Sequence, residues 1–187
     1  MFSFRNVAAA MALAATAQAT TNTLTFVSTD NVARTVYITP SVGVEGMDPV
    51  TVPAGATVPV NFAEGFIGNA YAVQEGKENV PGMLAEVNFQ GWGGSTYFDV
   101  SAIVNSADTD NVMMMYPADA PNTPTSGCNP FPCNNAYYLP DDVQTKVTDQ
   151  TNIIVTLGGG SANTTKRDVN SAATGKNLPR NLVELKY

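Results

Sequence analysis

The chain contains no histidine among its 187 residues, and that absence removes more chemistry than any other feature. Neither a Ser-His-Asp nor a Cys-His nucleophile pair can be assembled. Zinc sites that use imidazole are excluded, and the 2 cysteines present cannot supply a four-thiolate site. Hydrolytic chemistry would therefore have to rest on carboxylates. Basic residues are also scarce in the body of the chain. Between Thr20 and Leu157 only Arg34, Lys77 and Lys146 stand against fourteen acids, a balance of −11. Such a surface repels phosphate backbones and anionic lipid heads, which are bound by Lys and Arg. Nucleic acid and membrane are thus not expected partners. Neutral partners such as polysaccharide are compatible with this charge, and so is a charge that serves solubility alone. No apolar run reaches the roughly 20 residues needed to cross a bilayer.

What is present begins with a signal-peptide pattern. Arg5 gives a positive start, Val7 to Ala15 forms a short apolar stretch, and Ala17-Gln18-Ala19 supplies a small-residue cleavage site. Residues 1–19 are therefore expected to be removed, leaving a secreted, extracellular protein that begins near Thr20. The remainder suits one domain with its own core.

Residues 20–157 read as strands punctuated by turns. Thr23 to Val27 alternates, and Arg34 to Thr39 is β-branched and aromatic-rich up to Pro40. Val50 to Val52 and Thr57 to Phe62 flank Pro53-Ala54-Gly55-Ala56, which predicts a hairpin. Further strands are expected at Ala70 to Gln74, Leu84 to Gln90, Tyr97 to Val104, Val112 to Tyr116 and Asn152 to Leu157. Turn signals every ten residues or so indicate an all-β sandwich or barrel. Met113-Met114-Met115 reads as a strand with buried alternate positions rather than a ligand stripe.

Residues 158–187 differ in composition. Gly158-Gly159-Gly160-Ser161 is a flexible linker, Asn163-Thr164-Thr165 is a glycosylation sequon, and Lys166-Arg167 precedes a polar, basic tail. The dibasic pair suits cleavage by a processing protease, and an uncut disordered tail is the other reading. Cys128 and Cys133, in SGCNPFPC, are expected to form a disulfide in an oxidising compartment.

The stretch from Leu84 to Tyr116 resembles thaumatin-like proteins. Leu84-Ala85-Glu86-Val87-Asn88-Phe89 is similar to their LAEF-type strand, Tyr97-Phe98-Asp99-Val100-Ser101 to the next strand, and Asn111-Val112-Met113 to the Asn-Val-Pro-Met that follows. A second match is Cys133-Asn134-Asn135-Ala136-Tyr137-Tyr138-Leu139-Pro140-Asp141-Asp142, and Thr25-Phe26-Val27 with Thr35-Val36-Tyr37 is similar to the family's first hairpin. The likeness is to short secreted fungal members, some of which carry a deoxyribonuclease label. It implies a flattened β-sandwich with an acidic cleft, few helices, and association with β-1,3-glucan or other cell-wall components, in some cases with weak endo-β-1,3-glucanase activity. Glu86 and Asp99 match the family's cleft acids, and Asp141 or Asp142 matches the last one. The next family acid falls at Val104 and Asn105, the cleft arginine has no clear counterpart, and most family disulfides are missing.

Binding without strong catalysis is accordingly the leading expectation, with no cofactor and no metal site. Glu86 and Asp99 are the candidate catalytic pair for the glucanase alternative, since glycoside hydrolysis needs two carboxyls about 5–9.5 Å apart across the scissile bond. An extracellular effector, or a nuclease using a carboxylate-held metal, are further alternatives. Trp92, within Gln90-Gly91-Trp92-Gly93-Gly94, either folds back over the end of the sandwich, the favoured expectation, or stacks on a sugar face. Tyr97, Tyr137 and Tyr138 carry the same two readings.

Overall fold

Period-two alternation is realised along the first strand, β1 (Asn22–Ser28), whose residues are buried and half-buried in strict turn. The computed structural model describes residues 21–121 and 123–159. The signal-peptide pattern, the Asn163 sequon, Lys166-Arg167 and the tail lie outside the described residues.

Ten further strands follow: β2 (Arg34–Pro40), β3 (Val50–Val52), β4 (Thr57–Phe62), β5 (Ile67–Gln74), β6 (Leu84–Asn88), β7 (Thr96–Ser101), β8 (Val112–Pro117), β9 (Ser126–Gly127), β10 (Lys146–Thr148) and β11 (Asn152–Leu157). One 3-10 turn, Trp92–Gly94, is the only helical element among the described residues. The strands form a five-stranded sheet, ordered β4-β1-β11-β8-β9, and a six-stranded sheet, ordered β10-β7-β6-β5-β2-β3. The first and last strands lie side by side in parallel, with Leu24 opposite Ile153 and Phe26 opposite Val155.

The inner faces of the two sheets meet in one core. Leu24, Phe26, Ile153 and Val155 come from one sheet, and Val36, Ala70, Val87, Phe98 and Val100 from the other. Met113 and Met115 join that core while Met114 is only partly buried, as a strand reading of the methionines requires. All-β is therefore the fold class, a two-sheet sandwich with a single disulfide.

The expected hairpin across Pro53–Ala56 is corrected by the pairing. β3 pairs with β2, and β4 pairs with β1 in the other sheet. The turn is real, closed by Ala56 N–H donating to Pro53 O at 3.1 Å with Gly55 at φ +66°. It acts as a corner that carries the chain between sheets. Each flanking strand is an edge strand, and Pro59 within β4 is tolerated for that reason.

Candidate functional site

Glu86 and Asp99 are directly opposed in the antiparallel register of β6 and β7, so their side chains share one face of the six-stranded sheet. Asn69 of β5 is the next residue in that row. Alternation fixes which face it is. Ala85 and Val87 on β6, and Phe98 and Val100 on β7, fill the core, so the acids project from the opposite, outer face. Directly opposed residues of an antiparallel pair have Cβ atoms about 4.5–5.5 Å apart. The sequence expectation that these two acids sit together thus matches the backbone geometry.

The expected open cleft at this pair is corrected. Both carboxylates are 0% exposed and Asn69 is 3% exposed. The chain after the disulfide runs beside the end of β7, past its pairing with β10, and reaches Asp99. Tyr137 N–H donates to Val100 O at 2.9 Å, and Ala102 N–H donates to Tyr137 O at 2.7 Å. The Tyr137 hydroxyl, itself fully buried, lies 2.8 Å from Thr145 Oγ1, and the Thr145 hydroxyl donates to Asp99 Oδ2 at 3.3 Å. Lys146 is also buried here. Burial pushes its ammonium below the ordinary lysine pKa, and attraction to Asp99 opposes that shift. A general acid must come within about 2.6–3.2 Å of the proton it transfers, and neither carboxyl reaches the surface in this packing.

The remaining candidates separate from this pair. Asp141 is exposed. Asp142 turns inward on its own loop, where Oδ2 accepts the backbone N–H groups of Tyr138 at 2.8 Å and Leu139 at 2.9 Å, so it shapes the turn. Tyr138 stacks on Phe131 with centroids 5.7 Å apart. Cys128 and Cys133 are bonded, with Cα atoms 6.3 Å apart. Trp92 does not fold back. It stands 81% exposed on the turn joining β6 to β7, and the Tyr97 hydroxyl donates to its carbonyl at 2.9 Å to anchor the backbone beneath it.

Two features were not anticipated. Arg34 is 1% exposed and grips Asp30 through two bonds of 2.7 Å, from Nη1 to Oδ1 and from Nη2 to Oδ2. It also donates to Asp110 O at 2.7 Å and Asn111 Oδ1 at 3.2 Å. The hydrogen bond from Arg34 holds the Asp30 carboxyl below the usual carboxylate range, against the opposing effect of burial, with help from the Val32 N–H. The lone arginine in a strongly acidic body was the available signal. Second, Tyr37 and Tyr71 face each other in register on β2 and β5, stacked with centroids 5.3 Å apart. Cross-strand register is not written in either tyrosine's neighbours.

Among the described residues there is no group of three or more His, Cys, Asp or Glu side chains arranged to hold a metal ion. No helix there is long and apolar enough to cross a membrane.

No protein-family model matches the chain. It is similar to the antigenic protein SchS21 of Stachybotrys chartarum, with 50% identity over 142 residues that cover 76% of this chain and 98% of that protein. Among solved structures it is similar to the protein elicitor MoHrip2 from Magnaporthe oryzae, with a TM-score of 0.54 and 17% identity, over 73% of this chain and 98% of the other. A further neighbour is the thaumatin-like xylanase inhibitor TLXI, with a TM-score of 0.46 and 14% identity, over 71% and 97% of the two chains. The elicitor shares the fold at that identity. With half its residues identical across nearly the whole of SchS21, the chain belongs to the family of that antigenic protein.

Proposed function

We propose that this is a secreted, effector-type protein that works by binding a cell-wall polysaccharide, such as β-1,3-glucan, without turning it over. One observation carries the reading: the exposed Trp92 on its anchored turn, set against an acid pair closed to solvent. An indole presented on a fixed backbone offers a broad apolar face to a sugar ring and a polar N–H at its edge. The negative body disfavours polyanionic ligands and leaves neutral glycans compatible. The thaumatin-like sequence motifs support a wall-associated, extracellular role, and the disulfide is compatible with an oxidising compartment. The antigenic relative and the elicitor with the same fold support a protein met by another organism.

Retention on insoluble β-1,3-glucan tests this, with Trp92→Ala and Glu86→Gln compared. The wild type is expected to be retained, Trp92→Ala to lose most of that retention, and Glu86→Gln to keep it. Failure of the wild type to bind any wall polysaccharide overturns the reading. Release of reducing ends from laminarin that disappears in Glu86→Gln would instead establish the glucanase.

A further inference from the structure

We propose that a recess at the opposite end of β6 and β7 from Trp92 is a second binding site, taking a small neutral polyhydroxylated ligand of the size of a mono- or disaccharide. It does not depend on the Trp92 reading. The recess lies between the β5–β6 connection and the loop that leads from β7 to β8, and has a volume of 290 Å³. Five residues of β6 at about 3.3 Å each separate it from the indole turn, too far for one small ligand to touch both.

Size sets the first limit. Small-molecule pockets run from about 300 to 1,000 Å³, so this one suits a small ligand rather than a folded partner. Chemistry sets the second. Gln74, Asn105, Thr109 and Asn111 line it with amides and a hydroxyl, groups that both donate and accept. A sugar hydroxyl also does both, so these groups match it. Ala72, Val73 and Val80 add an apolar strip for the C–H face of a ring. Charge sets the third. Among the described residues Lys77 is the one base on the wall, against Glu78, Asp108 and Asp110, so a phosphate or carboxylate ligand is disfavoured. Among the described residues no aromatic side chain lines the recess to stack a nucleobase.

The walls are held in advance. Asp108 Oδ2 accepts Met83 N–H at 2.9 Å, which ties one wall to the other, and Oδ1 accepts the Asn111 amide at 2.9 Å. Behind them the buried Arg34 fixes the Asp110 carbonyl and the Asn111 side chain. On the other wall the Tyr71 hydroxyl donates to Asn79 Oδ1 at 3.0 Å. A site ordered before binding loses little entropy on occupation.

The test is an amide-resolved NMR titration of the secreted protein with glucose, laminaribiose, xylobiose and putrescine, each to about 10 mM, which saturates a millimolar site. Expected are saturable shifts for at least one sugar at Lys77, Asn105 and Thr109, unchanged in Trp92→Ala. They should weaken about tenfold in Ala107→Trp, which fills the recess, and severalfold in Thr109→Val, whose hydroxyl makes no hydrogen bond among the described residues. Preserved spectral dispersion checks that each variant folds. No saturable shift with any sugar, a response to putrescine alone, or sugar shifts that survive both recess variants overturns the proposal. Loss of glucan retention in Trp92→Ala with recess shifts intact keeps the two sites distinct.

Discussion

Arg34 shows what a single residue can hold in place. It stands at the start of β2, yet its guanidinium joins the β1–β2 connection to the loop before β8 through Asp30, Asp110 and Asn111. Removing one partner of a buried pair leaves the other's polar groups uncompensated, so Arg34→Ala is expected to cost about 3 kcal/mol by chemical denaturation. Its pH signature follows from the Asp30 carboxyl, whose pKa is lowered in the folded state. The unfolded chain then binds the proton more readily. The pair's contribution is therefore complete above the ordinary aspartate value of about 3.9, and is lost as pH falls through the lower folded value. The stability difference between wild type and Asp30→Asn should be flat from neutral pH to about pH 5 and shrink in more acidic solution. A difference that persists undiminished to pH 2 would contradict this account. Gly158 belongs to the same cluster. Its φ of +92° suits glycine, and a Cβ there would run into the Asp30 carboxylate.

At the scale of elements, the strands announced by alternation are nearly all present, because period two follows from one face packing on a core. β1 and β8 were legible in this way, and β2 through its β-branched and aromatic residues. β9, two residues long, and β10, three residues long, were not. They carry too few positions for a period, and they exist through their pairing with β8 and β7. The misread hairpin has a related cause. A Pro-Ala-Gly-Ala turn says that the chain reverses or bends, while partner choice depends on which edge is free in each sheet. The disulfide loop is another local device. Its sequence separation of 5 closes a short loop, worth about 2 kcal/mol in unfolded-chain entropy. Cys128→Ala with Cys133→Ala should lower stability by about that amount by urea denaturation while leaving glucan retention in place. A much larger loss would mean that the disulfide also fixes the segment that bonds to Asp99.

For the molecule as a whole, charge and missing chemistry bear most on function. The chain has a formal net charge of −7 and no histidine. A DNA-cleaving role would need a carboxylate-held metal on a surface that repels phosphates. Incubation with supercoiled plasmid and magnesium is expected to leave it intact, and relaxation of the plasmid by pure protein would reinstate the nuclease. Sequence alone determined the all-β class, the cysteine pairing and the exclusion of imidazole chemistry, since residue identities and local periodicity suffice for those. It also put Glu86 and Asp99 on neighbouring strands, through their motifs. Whether those acids met solvent was decided only by the tertiary structure. A segment some forty residues later in the chain lies beside β7 and bonds to the buried Asp99, while Trp92 stays out in solvent. Burial is set by what distant parts of the chain pack against, and no window of neighbouring residues contains that information.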